Sequence, residues 1–281
     1  MPTRAWRSTL PVYLVLAVAT AIALLPFGWM VLTAIKAGPE VYRFPPVFWP
    51  AEPTLKNFGA AWGTGNFPRL FLNSAVVAGL ATITNLVFDS MAAFAFARLR
   101  FPGREALFGL VLATMMLPAV VTIIPLFLIV KSLPALGPGG WLNSYPGLVA
   151  PGAASAFGIF LFRQYFETIP LEIDEAAKLD GAGLFRTYWH LIMPLSAPAC
   201  VTVAIFTFVL QWNDFLWPLV CATDADMYTL QVGLSYFTTE HAIDWPLLMA
   251  AAVIVTTPVL LLYAGLQKYF VGGLTMGASK E

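Results

Sequence analysis

Of 281 residues, 59% are hydrophobic and only 11% are charged, and the mean hydropathy is +0.78. A soluble domain carries about 25% charged residues, and here the apolar residues come in runs too long for soluble helices, so composition excludes a soluble enzyme or binding module. The 15 basic and 15 acidic residues balance, which leaves no electrostatic footprint for nucleic acid.

The chain starts with Arg4 and Arg7 and then runs uncharged over 12–35. A secretory signal has an apolar core of only about 7–15 residues. This run has about 24, enough to cross a bilayer core of about 30 Å. It therefore reads as a retained first span, although Ala17-Val18-Ala19 resembles a cleavage site. The loop 36–68 holds Pro39, Pro45, Pro46, Pro50 and Pro53 with Trp49, Phe58 and Trp62. It is too aromatic for a disordered linker and is expected to pack on the membrane surface. Further spans are predicted at 72–97, 106–130, 145–162, 195–218 and 246–267, making six. Pro26, Pro118, Pro125, Pro151, Pro198 and Pro258 fall inside spans and predict kinks, tolerable where neighbours satisfy the freed backbone.

Asp89 is the one charge well inside a span, and Asn85 lies one turn earlier on the same face. A carboxylate at that depth costs on the order of 2.5–3.5 kcal/mol on insertion scales and faces the bundle interior or a wet cavity. Three roles fit it: lining a translocation path, a structural hydrogen bond to another helix, or proton coupling. No second intramembrane acid or histidine offers a relay. Cys200 and Cys221 flank one predicted span, about 30 Å apart along a helix, beyond the reach of a disulfide. They read as packing residues. His190 and His241 lie in different loops and show no metal-ligand spacing.

Between the fourth and fifth spans lies a charged, interrupted segment, 167–194. Pro170 suits a helix first turn, and Glu172, Asp174 and Glu175 suit the positive end of the helix dipole. Ile173, Ala176 and Ala177 fall at i, i+3 and i+4. Two alanines on that face predict close approach by another protein's backbone. Gly181 and Gly183 supply a permissive backbone at the helix end, a second short helix follows, and Pro194 is expected to end it. The segment reads as an elbow. Gln211-Trp212-Asn213-Asp214, then Phe215, Trp217 and Pro218, lie near the far end of the fifth span. Trp217 suits an interfacial aromatic belt, and Asn213 suits a pathway or gate. The loop 222–245 has no basic residue but holds Asp224, Asp226, Glu240 and Asp244.

Orientation follows the basic residues. With the N-terminus inside, Arg4, Arg7, Arg98, Arg100, Arg104, Arg163, Lys178, Arg186, Lys268 and Lys280 fall inside, against Lys36, Arg43, Lys56, Arg69 and Lys131 outside. That bias predicts both termini, and the elbow, in the cytoplasm. The chain lacks a phosphate-binding loop: its only Lys-Ser/Thr pair, Lys131-Ser132, has no glycine before it. It also lacks a His-Glu-x-x-His helix and a Gly-x-Ser-x-Gly elbow. Any hydrolysis of ATP must come from a separate subunit.

Glu175-Ala176-Ala177, Asp180-Gly181-Ala182, Ile192 and Pro194 match, in type and spacing, the EAA signature of the membrane subunits of bacterial ABC importers. The likeness extends to Phe71-Leu72-Asn73-Ser74-Ala75, Arg98-x-Arg100-Phe101-Pro102-Gly103, the Trp-Asn-Asp stretch and the tail 268–281, whose Gly273-Leu274-Thr275-Met276-Gly277-Ala278 resembles the ending of maltose-type second permeases. Phe162-Arg163-Gln164 and Leu216-Trp217-Pro218-Leu219 resemble the glycerol-3-phosphate branch equally.

The resemblance implies an all-α membrane protein of the type I importer architecture, a single permease domain over 1–281 with six transmembrane helices and a cytoplasmic coupling helix. It places the chain in the bacterial inner membrane. In that family the elbow, here Glu175, Ala176, Ala177, Asp180, Gly181 and Ala182, seats in a cleft of a cytoplasmic ATPase; Asn85, Asp89 and Asn213, from their own positions in this chain, are the path candidates. The tail reaches between the two ATPases in the maltose system. The implied partners are a second, non-identical permease, two copies of the ATPase and an extracytoplasmic binding protein, which in this family meets loops such as 222–245. No cofactor or metal is implied. The expected function is sugar transport by alternating access. A polyol-phosphate cargo, or a secondary carrier coupled through Asp89, are the alternatives.

Overall fold

The computed structural model describes residues 5–134, 140–235 and 244–278, and among these the regular structure is helical throughout. Glu240 and His241 lie outside the described residues. In chain order the helices are α1 (Ala5–Ala34), α2 (Gly38–Val41), α3 (Lys56–Gly63), α4 (Phe67–Arg98), α5 (Arg104–Thr114) and α6 (Ala119–Ser132). Next come α7 (Tyr145–Val149), running into a 3-10 turn at Ala150–Gly152, then α8 (Ala156–Thr168) and α9 (Leu171–Leu179). The chain continues through α10 (Leu184–Thr187), a π turn (Tyr188–Ile192), α11 (Met193–Leu195), α12 (Ala197–Trp212), α13 (Leu216–Cys221), α14 (Leu230–Ser235) and α15 (Trp245–Ala278).

Three helices are long and apolar enough to cross a membrane alone: Pro11–Ala34 within α1, all of α4, and Trp245–Gln267 within α15. Three more crossings are bent pairs: α5 with α6 at 101°, Tyr145–Gly152 with α8 at 47°, and Leu184–Leu195 with α12 at 79°. Counting each pair as one span gives the expected six. Proline position separates the two kinds. Pro118 is the N-cap of α6, Pro151 sits in the 3-10 turn, and Pro198 lies in the first turn of α12, each at a break. There the missing N–H costs nothing. Pro26, Pro125 and Pro258 lie inside unbroken helices.

Two expected spans therefore change shape. The stretch 106–130 is not one rod but two helices nearly at right angles. The stretch 195–218 ends as a helix at Trp212, and α13 starts afresh after Asp214, whose Oδ1 accepts the Trp217 N–H at 3.4 Å. Trp217 is not a belt residue. It is buried among Val77, Ala81, Leu148 and Cys221, and its indole N–H donates to the Gly147 carbonyl at 3.1 Å. The last helix continues past 267 to Ala278, so the glycine-rich stretch expected as a tail is helical up to there.

The chain forms two compact units. One comprises Met1–Pro68 with Gly233–Pro258. In it the 36–68 loop is ordered through buried charged residues rather than through the aromatic residues its composition pointed to. The Lys36 ammonium donates to the Val47 carbonyl and stands 4.6 Å over the Trp29 ring, and Glu40 accepts the Ala51 N–H at 2.8 Å. Asn57 donates to the Ala34 and Lys36 carbonyls at 2.7 and 2.8 Å. Phe44, Phe48 and Trp49 remain exposed.

The other unit comprises Arg69–Val232 with Val259–Glu281. It holds two cores. The larger packs Phe94, Phe108, Phe162, Phe166, Tyr188, Ile192 and Val203, and the smaller gathers around Trp217 and Leu148. Cys200 and Cys221 are free thiols in this unit.

Trp217 gives a graded test of the smaller core. Trp217→Phe should remove one hydrogen bond, about 1 kcal/mol, while Trp217→Ala should cost roughly 3–5 kcal/mol. Thermal denaturation of the detergent-solubilised protein should rank them in that order. Equal midpoints for the wild type and Trp217→Ala would show that the site is not packed as described.

Candidate functional site

The elbow is built on α9. Pro170 has extended backbone and forms the N-cap, one position earlier than a helix first turn. Glu172 and Asp174 occupy the first turn and Lys178 the last, each on the favourable end of the dipole. The helix ends in a Schellman turn: Gly181 N–H donates to the Lys178 carbonyl at 3.1 Å and Ala182 N–H to the Ala177 carbonyl at 2.9 Å. Gly181 sits at φ +76, where a Cβ is strained. Gly183, expected to share this role, has ordinary extended backbone and is the N-cap of α10.

The small-residue face divides. Ala177 is buried and Ile173 packs on the larger core, so the i, i+4 pair faces the chain's own interior. Ala176 is exposed beside Glu175, Lys178 and Asp180, and Leu179 is 91% exposed. Only one of the two alanines is thus available to another protein. Pro194 also behaves differently from expectation. The second limb runs through the π turn, with Pro194 inside α11, and breaks two residues later at Ser196.

Two buried arginines hold the elbow and the helix that leads into it. Arg98, in the last turn of α4, donates from Nη2 to the Ile169 carbonyl at 2.8 Å. Its Nε stands 3.3 Å from Asp174 Oδ2, an ion pair with side chains 5% and 23% exposed in which neither atom has a well-aligned hydrogen bond. Arg163 donates from Nε to Glu167 at 2.9 Å and from Nη2 to both Glu105 oxygens at 3.1 Å, with its guanidinium 3.9 Å over the Phe108 ring. The second limb is tied to α4 where the Tyr188 and Ser90 hydroxyls share a hydrogen bond at 2.7 Å. In the sequence these arginines serve as topological charges and as parts of the family resemblance, with no partner assigned to either. The i, i+4 spacing of Arg163 and Glu167 was a readable signal, whereas nothing local linked Arg98 to Asp174.

Asn85 and Asp89 are both buried, and both face the break between α7 and α8. Asn85 donates to the Gly152 carbonyl at the end of the first half. Asp89 accepts the Ser155 N–H and hydroxyl, each at 2.8 Å, at the start of the second, and Ser155 caps α8 through the Gly158 N–H at 2.9 Å. A carboxylate at a helix N-terminus is favoured by the dipole, and each such charge-assisted bond is worth about 1.5–3 kcal/mol. This pair is a splint across a broken helix, closed off from solvent within the chain. Asn213 lies elsewhere: exposed at the end of α12, it donates to the Val209 carbonyl and accepts from Gln231 at 3.3 Å. In the acidic loop, Asp224 is already engaged, accepting from Asn143 Nδ2 at 2.6 Å.

Residues 86–275 match the family described as "Binding-protein-dependent transport system inner membrane component". The chain is 35% identical over 264 residues to the trehalose/maltose transport system permease protein MalG of Thermococcus litoralis, covering 92% of each. It is 32% identical over 265 residues to the diacetylchitobiose uptake system permease protein NgcG of Streptomyces coelicolor, covering 92% of this chain and 84% of the relative. It is 33% identical over 270 residues to the sn-glycerol-3-phosphate transport system permease protein UgpE of Yersinia pestis, covering 93% and 94%. Among solved structures, a chain of a bacterial ABC transporter involved in the import of the acidic polysaccharide alginate superposes with a TM-score of 0.83 at 26% identity, covering 96% of this chain and 99% of that one. The bent-pair architecture, the elbow and these matches agree: the chain belongs to the family of inner-membrane permease components of binding-protein-dependent ABC importers.

Proposed function

We propose that this chain forms half of the translocation path of an ATP-driven importer for a carbohydrate, with the exposed face of the elbow seated on a cytoplasmic ATPase. One observation carries the coupling assignment: Leu179 projects almost fully exposed beside Glu175 and Ala176, on a helix whose opposite face is fixed to its own core through Ile173, Ala177 and Arg98. An almost fully exposed aliphatic side chain at the end of an ordered, charged helix fits an apolar hole in a partner. A second, non-identical permease and two ATPase copies complete the assembly, with a binding protein on the outer face. The excess of basic residues on one set of connections supports cytoplasmic termini.

ATP closes the ATPase pair, carries the elbows together and turns the spans outward. It drives the cycle only because it binds one global state better than the other. The sugar permeases MalG and NgcG support a carbohydrate cargo, and the match to UgpE keeps a polyol phosphate as the second reading. Binding assays of both ligand classes on the co-encoded binding protein separate them. Coupling through Asp89 loses support from geometry, because both of its oxygens are engaged by Ser155. We assign Asn85 and Asp89 to the splint and keep only Asn213 for the pathway.

Leu179→Cys in the assembled importer should form a crosslink to the ATPase with a short bifunctional thiol reagent, while Ile83→Cys on α4 should not. Glu175→Lys should leave ATP hydrolysis running but abolish uptake. Crosslinking of Leu179→Cys only to lipid or to its own chain would remove the coupling assignment.

The turn offers an internal control. Gly181→Ala, strained by about 1–2 kcal/mol in the left-handed region, should loosen amide-exchange protection over 171–182 and reduce uptake. Gly183→Ala, at φ −74 with open space around its Cβ position, should do neither.

A further inference from the structure

Helix α8 leads directly into the elbow, and α4 holds it at both ends. At its start, Asp89 takes both hydrogen-bond donors of Ser155, and Ser155 caps the helix. At its end, Arg98 grips the Ile169 carbonyl and the elbow residue Asp174. A helix held at one point can pivot about it; one held at two points cannot. The two holding residues stand more than two turns apart on α4. Space for the first is reserved by Gly158, where any Cβ would collide with Asp89 Oδ2. The neighbouring half-helix is attached differently, through Asn85 to the Gly152 carbonyl, so the chain break at 153–155 lies at the far end of the doubly held segment.

We propose that Asp89 is a positioning residue of the transport stroke: with Arg98 it makes α4, α8 and the elbow move as one lever, so that displacement of Leu171–Leu179 is delivered to the break at 153–155. This rests on the elbow being the part an ATPase moves. Asp89 itself moves no proton and touches no solute. Its carboxylate fixes the start of α8 on α4, where the Phe94–Phe162–Phe166 packing fixes the middle and Arg98 the end.

The test uses the complete importer, with partner permease, ATPase and binding protein, in a Cys200→Ala, Cys221→Ala background. Spin labels at Ile83→Cys and Lys178→Cys report the distance from α4 to the elbow. A second label pair joins Lys178→Cys to the equivalent elbow position of the partner permease. Trapping ATP should shorten the distance between elbows and leave the Ile83–Lys178 distribution where it was. In Asp89→Leu the Ile83–Lys178 distribution should shift or broaden on ATP trapping, with fewer solute molecules moved per ATP. Asp89→Asn, whose amide oxygen still accepts the Ser155 N–H, should restore the wild-type distribution. Gly158→Ala, which displaces the carboxylate without removing it, should reproduce the Asp89→Leu result and serves if that variant does not assemble.

An ATP-dependent change in the wild-type Ile83–Lys178 distance would overturn the lever while leaving the docked elbow in place. So would an Asp89→Leu or Gly158→Ala importer with an unaltered distribution. No ATP response between the elbows would overturn the docked elbow and the lever together.

Discussion

A polar group inside an apolar medium must find a partner, and α4 meets that constraint six times. Asn73, Ser74, Asn85, Asp89, Ser90 and the Arg98 side chain are all buried on one long, mostly apolar helix. Each pairs with a place where another segment leaves regular helix. Asn73 donates to the Asp226 and Tyr228 carbonyls, and Ser74 accepts the Leu230 N–H. Asn85 and Asp89 serve the break at 153–155, Ser90 meets the π turn at Tyr188, and Arg98 meets Ile169 ahead of the elbow. Backbone outside a helix is tolerated at membrane depth only when something satisfies it, and each group left bare costs about 1–3 kcal/mol. The spine of α4 is what permits the chain to break where it does.

Those breaks give the fold its mechanics. Straight rods would present uniform apolar sides to lipid; bent pairs let the chain turn within the membrane, and three of the bends carry proline where its missing N–H is harmless. The elbow extends the same logic beyond the spans. Its inner face is committed to the core by Ile173 and Ala177 and pinned by Arg98, while its outer face keeps Glu175, Ala176 and Leu179 exposed. A docking element free on both faces would bend under load; one fixed on a single face transmits it.

Much of this was legible in the residues. Apolar run lengths gave six crossings, the EAA spacing located the elbow, and Gly181 marked its end. What escaped was whatever depends on contacts distant in sequence. Pro118 marked a kink within 106–130, but nothing local set the 101° between its two halves; around 195–218 the composition is equally apolar on both sides of the break, so hydropathy cannot see a new start after Asp214. Ala176 and Ala177 are identical in type and adjacent, and only the core beneath them decides which is buried. Trp217 looked interfacial because aromatic residues near a span end usually are, yet the Gly147 carbonyl, 70 positions away, claims its N–H. Arg98 and Arg163 counted as topological charges, but both side chains are buried and their acidic partners Asp174 and Glu105 come from other helices. Asp89 was noticed because it is a charge at depth; that its partner is a helix cap required knowing where α8 begins.

This mechanism requires α4 to remain attached to the elbow's support throughout the cycle. Cryo-electron microscopy of the assembled importer, without nucleotide and with ATP trapped, tests this most directly. Both maps should show Asp89 on Ser155 and Arg98 on the Ile169 carbonyl, with Leu179 inside an ATPase cleft. Exchange of either partner between the two states, or Leu179 lying against lipid, would contradict it.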